Sequence, residues 1–222
     1  LALLSRSGGT AAEAGQQWQW LSNLCTASSV QVELCDAGSE REATQVVESG
    51  ICGIIHSAGV LADALLPNQS QVALHKVWAA KAHAAWGLHQ ASYEQPTELD
   101  QFVLFSSVAA LLGGAGQANY AAANACLDGL ARLRREQGLV GSSVQWGAWA
   151  GVGMAVDSGV VEQLEAQGMG AVRADQGMCA LELAMGGSTG SPAIGVVTIL
   201  WPVLFEHMGN EVPAFLSGYA CQ

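Results

Sequence analysis

Short apolar runs alternate with longer mixed stretches along most of the chain. Six runs read as strands: "LALLS" (1–5), "VQVELC" (30–35), "GIIH" (53–56), "QFVLFS" (101–106), "SSVQWG" (142–147) and "IGVVTIL" (194–200). Between them the pattern predicts helices near 11–24, 39–48, 71–92, 117–137 and 158–185, the last in two pieces. Strands joined by crossovers of this length form βαβ units, so the fold class is α/β: a doubly wound parallel sheet with helices on both faces. Open sheets of this kind bind ligands at the carboxyl ends of their strands. The residues that follow each run are therefore the candidates, and they are polar or small: "SRSGG", "DAGS", "SAGV", "SSVAA" and "GAWAGVGM".

From Gln101 to Leu127 there is no charged residue, a span long enough to cross a bilayer. Ser106, Ser107, Gln117, Asn119 and Asn124 argue against that, and Gly113, Gly114 and Gly116 break the run at its middle. It reads instead as a strand ("FVLFSS"), a loop ("VAALLGGAGQ") and an Ala-rich helix ("NYAAANACLDGLARLRRE"). Tyr120 and Asn124 are four apart and share a helix face, while Ser107 ends the strand before it. In a strand–loop–helix turn these three can converge on one small substrate. A nearby ammonium would favour the phenolate of Tyr120 and improve it as a proton donor, and Lys76 and Lys81 lie in the preceding helix. Taken singly, each residue has a plainer reading: a cap for Ser107, a core ring for Tyr120, a surface amide for Asn124.

Composition narrows the partners. Of 222 residues, half are hydrophobic and 12% charged, which marks a densely buried globular sequence rather than a disordered one. A net charge of −11 disfavours nucleic acid, whose binding rests on neutralising phosphates. No basic amphipathic helix or leader is evident, which suits a cytoplasmic or organellar setting. The five histidines include no HxxxH pair, so no metal is expected. The six cysteines lack CxxC spacing and sit in apolar runs, so buried reduced thiols are expected.

"LALLSRSGG", "CDAGS", "HSAGVLADALL", "AAKAHAAWGLHQ", "FVLFSSVAALLGGAGQANYAAANACLDGLA" and "VQWGAWAGVGMA" follow one another at compatible spacings. Together they resemble the ketoreductase domain of a modular polyketide synthase, in the short-chain dehydrogenase/reductase superfamily. The likeness runs from residue 1 to about 155 and more weakly to about 205, where "QGMCALELAM" and "ILWPVLFEHM" resemble the family's closing helix and strand. It implies a Rossmann-like sheet that begins at the second strand, since no glycine-rich phosphate loop precedes "LALLSRSGG". The domain would span 1–205, with 206–222 as a tail or linker.

The resemblance also implies roles. Tyr120 would give the proton to the carbonyl oxygen and Ser107 would hold that oxygen. Lys81 would tune the phenol and bind the nicotinamide ribose, and Asn124 would complete the tetrad. Arg6, with Ser5 or Ser7, resembles a grip on a ribose 2′-phosphate, which implies NADPH. Asp36 would contact the adenine amine, or equally cap the next helix. Ala58 and Gly59 would let the backbone approach the adenosine ribose. Trp146 and Gly147 precede the loop over nicotinamide and substrate, and Met154 is a lid contact. Asp63, kept from an LDD-like signature as Leu61-Ala62-Asp63, and Leu112, where the opposite class carries tryptophan, point to a D-hydroxyl product. The implied substrate is a β-ketoacyl thioester on the phosphopantetheine arm of an acyl carrier protein, with other synthase domains as neighbours. Arg132, Arg134 and Arg135 are the sole basic cluster that could meet such a carrier, or else a solvated helix end. A non-catalytic structural copy and a stand-alone reductase of another carbonyl remain the alternatives.

Overall fold

The computed structural model describes residues 2–5, 31–94, 98–151, 160–187, 190–209 and 212–220. Its first elements are β1 (Ala2–Ser5), β2 (Gln31–Leu34), α1 (Glu40–Glu48), β3 (Gly53–His56), α2 (Gln71–Trp78), a π-helical turn (Ala79–His83) and α3 (Ala84–Glu94). Then come β4 (Gln101–Ser107), α4 (Ala109–Leu112), α5 (Ala118–Glu136), β5 (Ser142–Trp146) and α6 (Val160–Ala166). The last are β6 (Met169–Gly170), α7 (Ala174–Met185), β7 (Ala193–Val196), β8 (Thr198–Ile199), α8 (Trp201–His207) and a 3-10 turn (Ala214–Tyr219). The chain divides into two compact units: Leu1–Ile51 with His83–Glu98, and Cys52–Ala82 with Leu99–Gln222.

In the first unit β1 and β2 pair in parallel, Ala2 opposite Gln31. Ser39 is the N-cap position of α1, and Glu40 and Glu42 in its first turn suit the positive end of the helix dipole. α1 buries Ala43 and Val47. α3 approaches so closely that a Cβ on Gly87 would stand 2.7 Å from the Ala37 carbonyl oxygen.

The second unit carries a four-stranded sheet, ordered β3-β4-β5-β7, with every pair parallel. β4 explains why the sequence there is almost wholly apolar: both its faces are covered. Its even-numbered side chains meet α5, where the Arg134 guanidinium lies 3.8 Å from the Phe102 ring centre and Ser106 Oγ donates to the Asn124 carbonyl at 3.2 Å. Its odd-numbered residues Val103 and Phe105 pack with Val144, Trp146 and the α7 residues Ala180 and Ala184. Helices on both faces of a parallel sheet follow from that alternation.

Several expectations change. The stretch after β4 is not all loop: Ala109–Leu112 are good helix formers, Ser107 Oγ accepts from Ala109 N at 3.2 Å, and Gly113 at φ 78° ends the turn. The 71–92 helix is interrupted by the π-helical turn. "IGVVTIL" divides into β7, in the parallel sheet, and β8, paired antiparallel with β6. The break falls at Val197, whose side chain lies 3.0 Å from where a Cβ on Gly147 would stand. "ILWPVLFEHM" is mostly the helix α8, not a strand, with proline in its first turn. Within 206–222, Tyr219 stacks on Trp201 with ring centres 4.2 Å apart, and Leu216 is buried. The arginine cluster is no surface patch: Arg134 is 2% exposed, and Arg135 donates to the Gly141 carbonyl and to Ser142 Oγ. The thiols are expected to be buried, but of Cys35, Cys52, Cys126 and Cys179 only Cys35 is. The expected helix over 11–24 lies outside the described residues. Among the described residues no helix is long and apolar enough to cross a membrane.

Candidate active site

α5 lays its polar residues in a column, because Tyr120, Asn124 and Asp128 recur every four residues. Tyr120 is 8% exposed and packs with Val77, Ala109 and Ala123, with Val60 and Ala62 at their edge. That burial raises the phenol above its usual pKa near 10. The side chains of Asn124 and Ser107 pull it back down, and the Asp63 carboxylate adds a smaller upward push. The sequence suggested an activated, lowered phenol; the apolar wall outweighs its neighbours, and Tyr120 stays protonated through the neutral range.

Asn124 is fully buried and spans one helical turn, its Nδ2 donating to the Tyr120 carbonyl at 2.8 Å. Its Oδ1 is buried with no hydrogen-bond partner among the described residues. A buried acceptor without a donor is costly and is usually met by water or a ligand group.

Lys81 reaches the same place from the π-helical turn, a distortion that often marks functional positions. It is 2% exposed, its Nζ donates to the Phe105 carbonyl at 2.9 Å, and the ammonium stands 5.4 Å from the Tyr120 ring centre. Burial lowers its pKa from 10.5 to about 8, against an upward pull from Asp128. Lys76, the other lysine of the preceding helix, is exposed.

Four contributors escaped the sequence reading. His56, 5% exposed at the end of β3, sets its Nε2 3.2 Å from the Lys81 carbonyl, steadying the turn that carries the lysine. Burial and the Lys81 charge lower its pKa to about 4, so it is neutral near pH 7 and can donate that bond. Asp128 accepts from Ser143 Oγ at 2.6 Å and from Gln145 Nε2 at 2.8 Å, both from β5. Its signal was available: it is the first charge after the uncharged run, two turns beyond Tyr120. Gln117 and Asn119 tie the start of α5 to the loop after β3. Gln117 Nε2 donates to Asp63 Oδ2 at 2.9 Å, and Asn119 Nδ2 donates to the Ala62 carbonyl at 2.8 Å.

The remaining candidates lie where their strands end. Ala58 is exposed and Gly59 half-buried just beyond β3. Trp146 is 6% exposed at the end of β5, and Gly147 N donates to the Val196 carbonyl at 2.8 Å. Leu112 is half-buried at the end of α4, and Asp63 is exposed. In the first unit Asp36 is exposed; its Oδ1 accepts from Gly38 N at 3.0 Å, so it caps its own turn while Ser39 occupies the N-cap. Ser5 ends β1; Arg6, Ser7 and Met154 lie outside the described residues.

Comparison with known proteins points the same way. Residues 1–151 match the family model of the KR domain. The chain is 41% identical over 206 residues to "Polyketide synthase GfsA" of Streptomyces halstedii, covering 90% of this chain and 3% of that protein. It is 36% identical over 204 residues to the phthioceranic/hydroxyphthioceranic acid synthase of Mycobacterium tuberculosis (strain ATCC 25618 / H37Rv), covering 86% of the chain and 9% of the synthase. Among solved structures, an A-type ketoreductase from a modular polyketide synthase superposes with a TM-score of 0.89 at 34% identity, over 100% of this chain and 47% of that one. The first ketoreductase of the tylosin synthase superposes with a TM-score of 0.81 at 35% identity, over 95% and 45%. The chain thus spans a few per cent of these synthases and about half of each solved ketoreductase chain.

Proposed function

The chain belongs to the ketoreductase (KR) domain family of polyketide synthases, oxidoreductases of the short-chain dehydrogenase/reductase superfamily with a Rossmann-like fold, and from that footing we propose that it reduces a β-ketoacyl thioester to the β-hydroxyacyl thioester. The observation that carries this reading is the pairing of a protonated, buried Tyr120 with Ser107 and Asn124 on one side and the Lys81 ammonium beneath its ring. The Tyr120 hydroxyl gives its proton to the ketone oxygen, and Ser107 holds that oxygen as negative charge grows on it. Asn124, with an acceptor to spare, and Lys81 keep the donor oriented.

Family membership implies a nicotinamide cofactor, and the residues present fit one. Small residues follow β3 and leave its backbone approachable, and the Lys81 ammonium has N–H groups beyond the one on Phe105. Lys81 would hold the nicotinamide ribose, Ala58 and Gly59 the adenosine ribose, Asp36 the adenine, and Trp146 and Gly147 the nicotinamide side. When bound, the cofactor supplies the hydride. Arg6, with Ser5 and Ser7, makes NADPH the form we propose. The substrate would arrive on an acyl carrier protein beside other synthase domains, as suits relatives that are polyketide synthases. With Arg134 and Arg135 engaged inside the fold, the carrier would dock elsewhere than on that helix end. Asp63 and Leu112 support a D-hydroxyl product.

One experiment tests the reading. The full-length enzyme and its Tyr120→Phe variant are given a β-ketoacyl thioester with NADPH or NADH, and the product is resolved by chiral chromatography. We expect NADPH-dependent D-hydroxyl product that the variant fails to make while still binding cofactor. Undiminished turnover by Tyr120→Phe overturns the assignment.

A further inference from the structure

Asn119 sits one residue ahead of the proton donor, is 3% exposed, and uses both ends of its amide. Its Oδ1 accepts from Tyr120 N at 2.8 Å. Its Nδ2 donates to the Ala62 carbonyl at 2.8 Å. Tyr120 N lies in the first turn of α5, where backbone donors have no acceptor within the helix, and Asn119 provides one. The loop after β3 meets the start of α5 at two further successive points: Gln117 Nε2 on Asp63 Oδ2, and Ala64 N on the Gly116 carbonyl, each 2.9 Å. Gly116 takes φ 76° at this point, a conformation that favours glycine.

Of the three points, only the Asn119 one is both buried and bonded to Tyr120 itself. The Asp63–Gln117 pair is exposed, and the Ala64–Gly116 bond does not reach the tyrosine. We propose that Asn119 is a positioning residue for proton delivery, a clamp that sets Tyr120 against the loop at Ala62–Ala64. The inference rests on the reductase reading above. In the step concerned, the Tyr120 O–H bond breaks and a new O–H bond forms on the ketone oxygen as its carbon takes hydride from the dihydronicotinamide. A donor displaced by a fraction of an ångström still binds in its pocket but transfers its proton late.

The test compares Asn119→Ala, which loses both bonds, and Asn119→Asp, which keeps the acceptor for Tyr120 N and loses the donor to Ala62. Both are made in the full-length enzyme, with the unmutated protein and Tyr120→Phe as references. We expect kcat to fall by about tenfold to a hundredfold in both variants, since each breaks the link to Ala62. Cofactor binding and KM should hold, and the solvent deuterium isotope effect on kcat should rise as proton transfer becomes limiting. A kcat within twofold of the parent in both variants overturns the proposal. So does a loss that only follows the folded fraction by circular dichroism, with the isotope effect unchanged. If Asn119→Ala does not fold, Asn119→Asp decides by the same criteria. Failure of the unmutated protein to reduce the thioester would instead overturn the reductase reading, and the proposal with it.

Discussion

The Lys81 ammonium stands 5.4 Å from the centre of the Tyr120 ring while its Nζ donates to the Phe105 carbonyl. A buried cation thus lies against the face of the proton donor, held by the strand that ends in Ser107. The two groups titrate in different ranges. Burial lowers Lys81 to about 8 and raises Tyr120 above its usual value. As pH rises, the lysine therefore loses its proton first, while Tyr120 still has one to give.

The alkaline limb of kcat/KM for reduction should accordingly lie near pH 8 and belong to Lys81, because that parameter reports groups of the free enzyme. Lys81→Arg keeps the charge through this range. A pH–rate profile of that variant should have its alkaline limb moved up by a unit or more, in whatever activity remains. A limb that stays at pH 8 would transfer the assignment to another group.

His56 makes a second pH dependence, of stability. Its folded-state pKa is about 4 against an ordinary 6.5. Between those values the unfolded chain binds the proton that the folded one refuses, so stability falls as pH drops from 6.5 toward 4 and is level above 6.5. The full difference is about 3 kcal/mol. Urea unfolding from pH 4 to pH 7 should show this decline, and His56→Gln, neutral and still a donor, should flatten it. Equal slopes for both proteins would mean that other groups set the acid limb.

The proposed preference for NADPH turns on Arg6, the residue after β1 in the sequence. Its guanidinium suits a 2′-phosphate through paired hydrogen bonds, and a carboxylate there would repel the phosphate and accept from the bare ribose hydroxyls. Arg6→Glu should weaken NADPH by more than tenfold and NADH little, both read by quenching of tryptophan fluorescence. Equal loss for both cofactors would remove the 2′-phosphate role.

Period and strand-end position were enough to bring Ser107, Tyr120 and Asn124 together, because a short strand–loop–helix turn leaves few places for those side chains. Lys81 came from the motif, and its depth could not be foreseen, since a π-helical turn leaves no trace in hydrophobic period. The same limit hid Asn119: a polar residue beside Tyr120 reads as solvent-facing until the loop at Ala62 is seen to cover it. Arg134 misled for the opposite reason. An arginine in "RLRRE" resembles a charged helix end, yet its guanidinium lies over the Phe102 ring and its Nε donates to the Val140 carbonyl at 2.7 Å. Contacts far apart in sequence decide such cases.

Packing beneath the loop that follows β5 gives the last prediction. Trp149 lies with its ring centre 4.8 Å from that of Trp146, and a Cβ added to Gly177 in α7 would fall 2.2 Å from the Trp149 ring. In an open helix position, replacing glycine by alanine stabilises by up to about 1 kcal/mol. At Gly177 the ring must be expelled or the helix shifted, and overpacking of that kind costs about 1–3 kcal/mol. Gly129, in α5 with nothing within 4 Å of its would-be Cβ, supplies the contrast. Gly177→Ala should lower the melting temperature and change tryptophan emission as Trp149 moves, whereas Gly129→Ala should raise the melting temperature slightly with emission unchanged. If both substitutions stabilise alike, Trp149 does not lie on Gly177.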